Sequence, residues 1–169
     1  ELDKLDSISR MPEVLRRFEE KNHVLVGFIR KNGSCLLDGK VISSESIRDD
    51  NNEATISSYN DPEDVALDFE KICAFGNGEF GIPFRFSTNV IAFYYIYKAD
   101  YYCLEYDESP SVTDHNDHYF EAEEEFVVEV EGLLKIGLDL NSLRVVTEDT
   151  IGDCIDIEID SIDQVEVLD

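Results

Sequence analysis

Apolar side chains are densest between Asn89 and Tyr106, where the chain reads Asn-Val-Ile-Ala-Phe-Tyr-Tyr-Ile-Tyr-Lys-Ala-Asp-Tyr-Tyr-Cys-Leu-Glu-Tyr. Drawn as an extended chain, Ile91, Phe93, Tyr95 and Tyr97 share one face, and Val90, Ala92, Tyr94 and Ile96 share the other. Both faces are apolar or aromatic, which predicts a central strand covered on both sides. Lys98-Ala99-Asp100 breaks the run. Tyr102, Leu104 and Tyr106 then alternate with Tyr101, Cys103 and Glu105, predicting a second strand and an antiparallel hairpin rich in Tyr and Phe.

Before this stretch, Val14, Leu15 and Phe18 follow Pro12 at helical spacing and predict a helix over about residues 12–21. Val24, Val26 and Phe28 oppose Leu25 and Ile29, so His23 to Ile29 reads as a strand. Asn32-Gly33 is a hairpin signal, because both turn residues tolerate positive φ. Asp38-Gly39 offers a second tight turn before Lys40 to Ile42. Ser43 to Asn60 is polar and reads as a long loop. Asp61, Pro62, Glu63 and Asp64 resemble the capped start of a helix that ends at Gly76. Gly76-Asn77-Gly78-Glu79-Phe80-Gly81 matches the glycine spacing of dinucleotide loops. That fingerprint needs a strand before it and a helix after it. Here Pro83 and Phe84-Arg85-Phe86 predict a following strand, so the glycines are assigned to a turn.

Residues 107–117 form a second polar loop around Pro110. Tyr119 to Glu131 fits two periods. Phe120, Phe126, Val127 and Val130 suit a helix with a glutamate-rich first turn, while Phe126 to Val130 alternates like a strand rich in β-branched residues. The helical reading is favoured. Leu143 to Val146 is a weak strand, and Cys154 to Asp160 and Gln164 to Leu168 alternate as an acidic hairpin or edge strands. The expected architecture is α+β, a mainly antiparallel sheet centred on the Tyr/Phe hairpin with two to three packed helices.

A chain of 169 residues, 43% hydrophobic, is long enough to bury roughly 70% of its unfolded surface in one domain. The domain is expected to span residues 1–169, with a frayed segment over 1–10. Cys35, Cys73, Cys103 and Cys154 are widely spaced, which suits buried thiols in a reducing, cytoplasmic compartment better than a disulfide framework. No apolar run is long enough for a membrane span, and none reads as a secretory signal.

Charge changes the picture most. The formal net charge is −25, and it is confined to part of the chain. Residues 1–48 carry nine Lys and Arg against eight Asp and Glu, whereas residues 49–169 carry five against 31. Such a field repels nucleic acid and anionic membranes and attracts cationic partners. From Ala99 to Leu134 there are twelve acids and no Lys or Arg. In a helix, Glu121–Glu125 and Glu125–Glu129 would be like-charge i, i+4 pairs, each costing a few tenths of a kcal/mol. On the late strand, Asp156, Glu158 and Asp160 would line one face about 6.6 Å apart.

Two acidic patches are therefore the candidate binding surface: Glu121, Glu124 and Glu125, and Asp156, Glu158 and Asp160. The expectation is a binding protein with no enzymatic signature and no cofactor. Its partner would be basic, a nuclease toxin or a DNA-binding protein, with the carboxylates standing in for phosphates as in an immunity-type inhibitor. His115 and His118, with Asp117, Asp114 and Glu121, form a weaker alternative, a metal-binding module or metal-dependent enzyme. They match neither a His-Glu-x-x-His helix nor an EF-hand loop. A third alternative is an acidic structural subunit whose charge serves solvation alone.

Overall fold

Two strands of 19 residues each, β5 (Glu79–Tyr97) and β7 (Tyr119–Gly137), form the spine of the molecule in a computed structural model that describes residue 9, residues 11–137 and residues 157–168. They pair antiparallel without a register shift, from Glu79 opposite Gly137 to Tyr97 opposite Tyr119. Their pattern has a period of two. The even-numbered residues Phe80, Ile82, Phe84, Phe86, Val90, Ala92 and Ile96 of β5 are buried, as are Ala122, Val128, Val130, Leu134 and Ile136 of β7. One face of the pair is therefore committed to the core, and register is strongly specified.

Shorter strands complete an eight-stranded sheet. Along the free edge of β5 lie β2 (Glu53–Tyr59), β3 (Glu63–Leu67) and β4 (Cys73–Gly76), with β1 (Val41–Ser43) outside β2. Along the free edge of β7 lie β6 (Ser111–Asp114) and β8 (Ile157–Leu168). All these pairings are antiparallel. The outlying strands β1 and β8 nevertheless touch, so the twisted sheet curls around its buried face.

That face is covered by α1 (Met11–Glu20) and α2 (Asn22–Asn32). Val14 and Phe18 of α1 are buried, with the Phe18 ring edge-on to Phe80 at 5.8 Å. α2 buries Val24, Leu25 and Ile29. The backbone at Gly33 then passes so close to the sheet that a Cβ there would lie 3.0 Å from Phe86. A third helix, α3, is the single turn Lys98–Tyr101. The fold is α+β, a mainly antiparallel sheet with three helices among the described residues. No helix among the described residues is long and apolar enough to cross a membrane.

Several local expectations are corrected. The segment Tyr119 to Glu131 is strand, part of β7: along Tyr119–Gly137 the even-numbered positions are apolar apart from Glu124 and Gly132, a longer match than the helical one. The second arm of the central hairpin is absent. After Tyr97 the chain turns through α3, Lys98 bonds Asp114 and lies 4.9 Å above the Phe120 ring, and the full-length antiparallel partner of β5 is β7. His23 to Ile29 is helical because Val24, Leu25, Phe28 and Ile29 also recur at i, i+1, i+4 and i+5. Gly33 continues in the right-handed region with φ −66° and donates to Ile29, so Asn32-Gly33 makes no hairpin.

The helix expected after Asp61 is replaced by β3, a turn of 3-10 helix at Phe69–Lys71, and β4. Val65, Leu67 and Phe69 fit a period of two as well, and the buried Thr88 of β5 ties the segment down by donating to the Asn60 carbonyl at 2.9 Å. The two expected loops, 43–60 and 107–117, contain β2 and β6. At Gly76, Asn77 and Gly78 φ is +97°, +55° and +76°, so the glycines make a tight turn from β4 into β5, as expected. Cys35 and Cys103 are exposed rather than buried, and Cys73 is partly buried; all three are free thiols. Leu143 to Val146, Cys154, Asp156 and nearly all of the N-terminal segment lie outside the described residues.

Candidate partner-binding face

Because β7 alternates, its odd-numbered residues share the face turned away from α1 and α2. They include Glu121, Glu123, Glu125, Val127, Glu129, Glu131 and Lys135, with successive odd positions spaced about 6.6–6.8 Å apart along the strand. No helix among the described residues covers this face, so the expected cover on both sides of the central strand is corrected: Ile91, Tyr95, Tyr97 and Val127 each leave 37–42% of their surface in solvent.

The register of β5 against β7 puts an apolar side chain directly beside each of the first three carboxylates. Tyr95 is opposite Glu121, Phe93 opposite Glu123, and Ile91 opposite Glu125. Directly opposite residues on one face have Cβ atoms about 4.5–5.5 Å apart. On the far side of β7, Thr113 lies opposite Glu121 and Ser111 opposite Glu123. Asn89 donates to Glu125 at 3.0 Å and fixes its direction. Further along, Glu129 stands directly opposite Glu166 of β8, a like-charge pair that destabilises the sheet.

Cations are scarce here. Lys135 bridges Glu79 at 3.6 Å and Glu158 at 3.5 Å, and the Glu79 carboxylate, followed by Glu158, raises its pKa despite some desolvation. Arg85 lies opposite Glu131. Among the described residues, no Lys or Arg forms an ion pair with Glu121, Glu123, Glu125, Glu129 or Glu131. At the Arg85 end, a hollow of about 420 Å³ is lined by Asp68, Lys71, Arg85, Glu131 and Asp163.

The two predicted patches are redistributed. Glu121 and Glu125 lie on the open face, but Glu124 lies on the opposite face, where the Tyr94 hydroxyl donates to it. Burial and this carboxylate together push the Tyr94 phenol well above its usual pKa. Glu158 is exposed and engaged by Lys135, and Asp160 is exposed at a register shift between Ile159 and Ser161. Glu123, Glu129, Glu131 and Glu166 were missed. Reading residues 119–137 with a period of two would have found the first three.

His115 and His118 lie at the aromatic end of the face. In the turn between β6 and β7, the Asn116 carboxamide oxygen accepts from the backbone N–H groups of His118 and Tyr119, both at 2.9 Å. The His115 ring rests 4.3 Å from Tyr95, and His118 stacks 6.5 Å from Tyr97. Asp114 is bonded by Lys98, and Asp117 is exposed. Among the described residues, no three His, Cys, Asp or Glu side chains come together as a metal cluster. No family model, curated protein or solved structure matches this chain.

Proposed function

We propose that the uncovered face of the β5–β7 pair docks a basic protein, and that this chain is an acidic inhibitor masking its partner's phosphate-binding surface. An immunity-type inhibitor of a nuclease toxin is the most natural form. The observation that carries the reading is the row Glu121, Glu123, Glu125, Glu129 and Glu131 on a single strand face, none of them in an ion pair among the described residues and only Glu131 directly opposite a cation on β5, Arg85. A folded chain that keeps such a row, and a Glu129–Glu166 pair beside it, forgoes stability that a cationic partner would restore on binding.

Carboxylates about 6.6–6.8 Å apart, in a row that Val127 interrupts, have at most half the linear charge density of one DNA strand, which carries a phosphate about every 3.4 Å. The row resembles phosphate in sign and regularity rather than in density. Steering toward a basic surface follows from the sign alone. Specificity would come from the side chains beside the row.

The test uses a basic nuclease and a duplex DNA competitor. Wild-type protein should displace the duplex. The triple substitution Glu121→Gln, Glu123→Gln and Glu125→Gln keeps shape and removes charge, so the association rate should fall by about tenfold or more at low salt and converge on wild type at high salt. Equal association rates at low salt would reduce the charge to a solvation device and overturn the reading.

A further inference from the structure

On the reading just proposed, we infer that the occupant of this face is an extended, arginine-bearing segment of the partner, whose alternate side chains enter three successive carboxylate–apolar slots. The slots are Tyr95 with Glu121, Phe93 with Glu123, and Ile91 with Glu125, each set by direct cross-strand pairing.

The first argument is repeat length. Neighbouring slots are two residues apart on a strand, about 6.6–6.8 Å, which is also the spacing of side chains i and i+2 on any extended peptide. A bound strand lying along the row would present every second side chain to a slot, and a helix would not stay in step. The second argument is chemistry. A guanidinium stacks on an aromatic ring and takes a carboxylate at its edge, using both members of a slot at once. An ammonium, as Lys98 shows with Asp114 and Phe120, meets a carboxylate and a ring only as a point charge, without flat stacking or a bidentate fork. The Ile91 slot offers an apolar wall for a long alkyl stem.

The third argument is exposure and charge. Ile91 and Tyr95 are 41% and 37% exposed on the middle of a paired strand, where single exposed apolar residues would be ordinary but a row beside unpaired glutamates needs an occupant of matching charge. A second copy of this chain, at net charge −25, would meet the row with like charge. His115 against Tyr95 closes the row at one end, and Asn89 preorganises Glu125 at the other.

The experiment titrates three peptides of equal charge into the full chain at low salt. One carries Arg at three alternate positions separated by Ser, one carries three contiguous Arg, and one carries Lys at the alternate positions. The alternating Arg peptide should bind at least about threefold tighter than the other two, with amide shifts concentrated on Ile91 to Tyr95 and Glu121 to Glu125. Tyr95→Leu keeps bulk and removes the ring, and should weaken the Arg peptide by about two- to fivefold and the Lys peptide by less. The shape-preserving Gln triple variant should weaken all three peptides.

If the contiguous and alternating peptides bind equally, or Tyr95→Leu changes nothing while circular dichroism remains native, the slots are wrong. The proposed function then still stands, provided that a basic nuclease is bound in a glutamate-dependent way. If neither peptide nor nuclease responds to the Gln substitutions, both readings fall.

Discussion

Gly132→Ala probes whether β7 and β8 are held at the separation described. Gly132 lies on the buried face of β7, opposite Phe84 of β5 and Ile162 of β8. A Cβ at this position would stand 2.4 Å from the Ser161 carbonyl oxygen and 2.6 Å from the tip of the Phe84 ring. The ring has little room to retreat, since Phe84 is buried and stacks on Phe86 at 6.0 Å. Forcing a methyl group into a packed core costs about 1–3 kcal/mol. The reduced freedom of the unfolded chain returns about 0.4–1 kcal/mol. A net loss of roughly 1–2 kcal/mol is expected, or about 2–8 °C in Tm for a chain of this size. Urea unfolding followed by circular dichroism measures it. In a Phe84→Leu background the same substitution should cost less, since one of its two obstacles is gone, and the difference is the coupling between the sites. A Gly132→Ala protein as stable as wild type, or more stable, would show that β8 does not pack against β7 at this distance.

Two further outcomes follow from charge. Because the Tyr94 phenol is raised above its usual pKa of 10.0 by burial and then by Glu124, the stability it contributes is full below about pH 10 and is lost as pH rises through the folded value. Absorbance at 295 nm should therefore show one tyrosinate that forms at higher pH than those of the exposed tyrosines, and Tyr94→Phe should abolish that late step; a Tyr94 that ionises together with the exposed tyrosines refutes it. Glu166→Gln relieves the direct opposition to Glu129 and should stabilise by about 0.2–1 kcal/mol. Monovalent salt through a few hundred millimolar should stabilise the wild type by screening and shrink this gain; a gain unchanged by salt would mean that repulsion is not its source.

The amino-acid sequence by itself determined the class of the fold, the place of the core and the side of the charge ledger. The apolar density of Val90 to Ile96 marks it as core, but it suggests cover on both faces, whereas only the even-numbered face is buried; the imbalance after residue 48 is visible as composition. The α1 helix was equally legible, because Pro12 and the Val14, Leu15 and Phe18 spacing act within one local segment. Elsewhere local signals supported two periods at once. Val24 to Ile29 fits both helix and strand, as does Phe120 to Val130, and only partners distant in sequence choose between them. β5 supplies a 19-residue template for β7, while the buried face of the sheet needs the stripe of α2 to cover it.

The candidate face shows the same division. That glutamates crowd residues 121–131 is a fact of sequence. Which of them stand together depends on the strand period, which sends Glu124 inward to Tyr94 and brings Glu123 out between Glu121 and Glu125. Which side chain stands beside each of them depends on the register against β5, about thirty residues away in the chain. Cross-strand neighbours are set by backbone hydrogen bonds between remote segments, so the aromatic partners of the acidic row exist only in the tertiary structure.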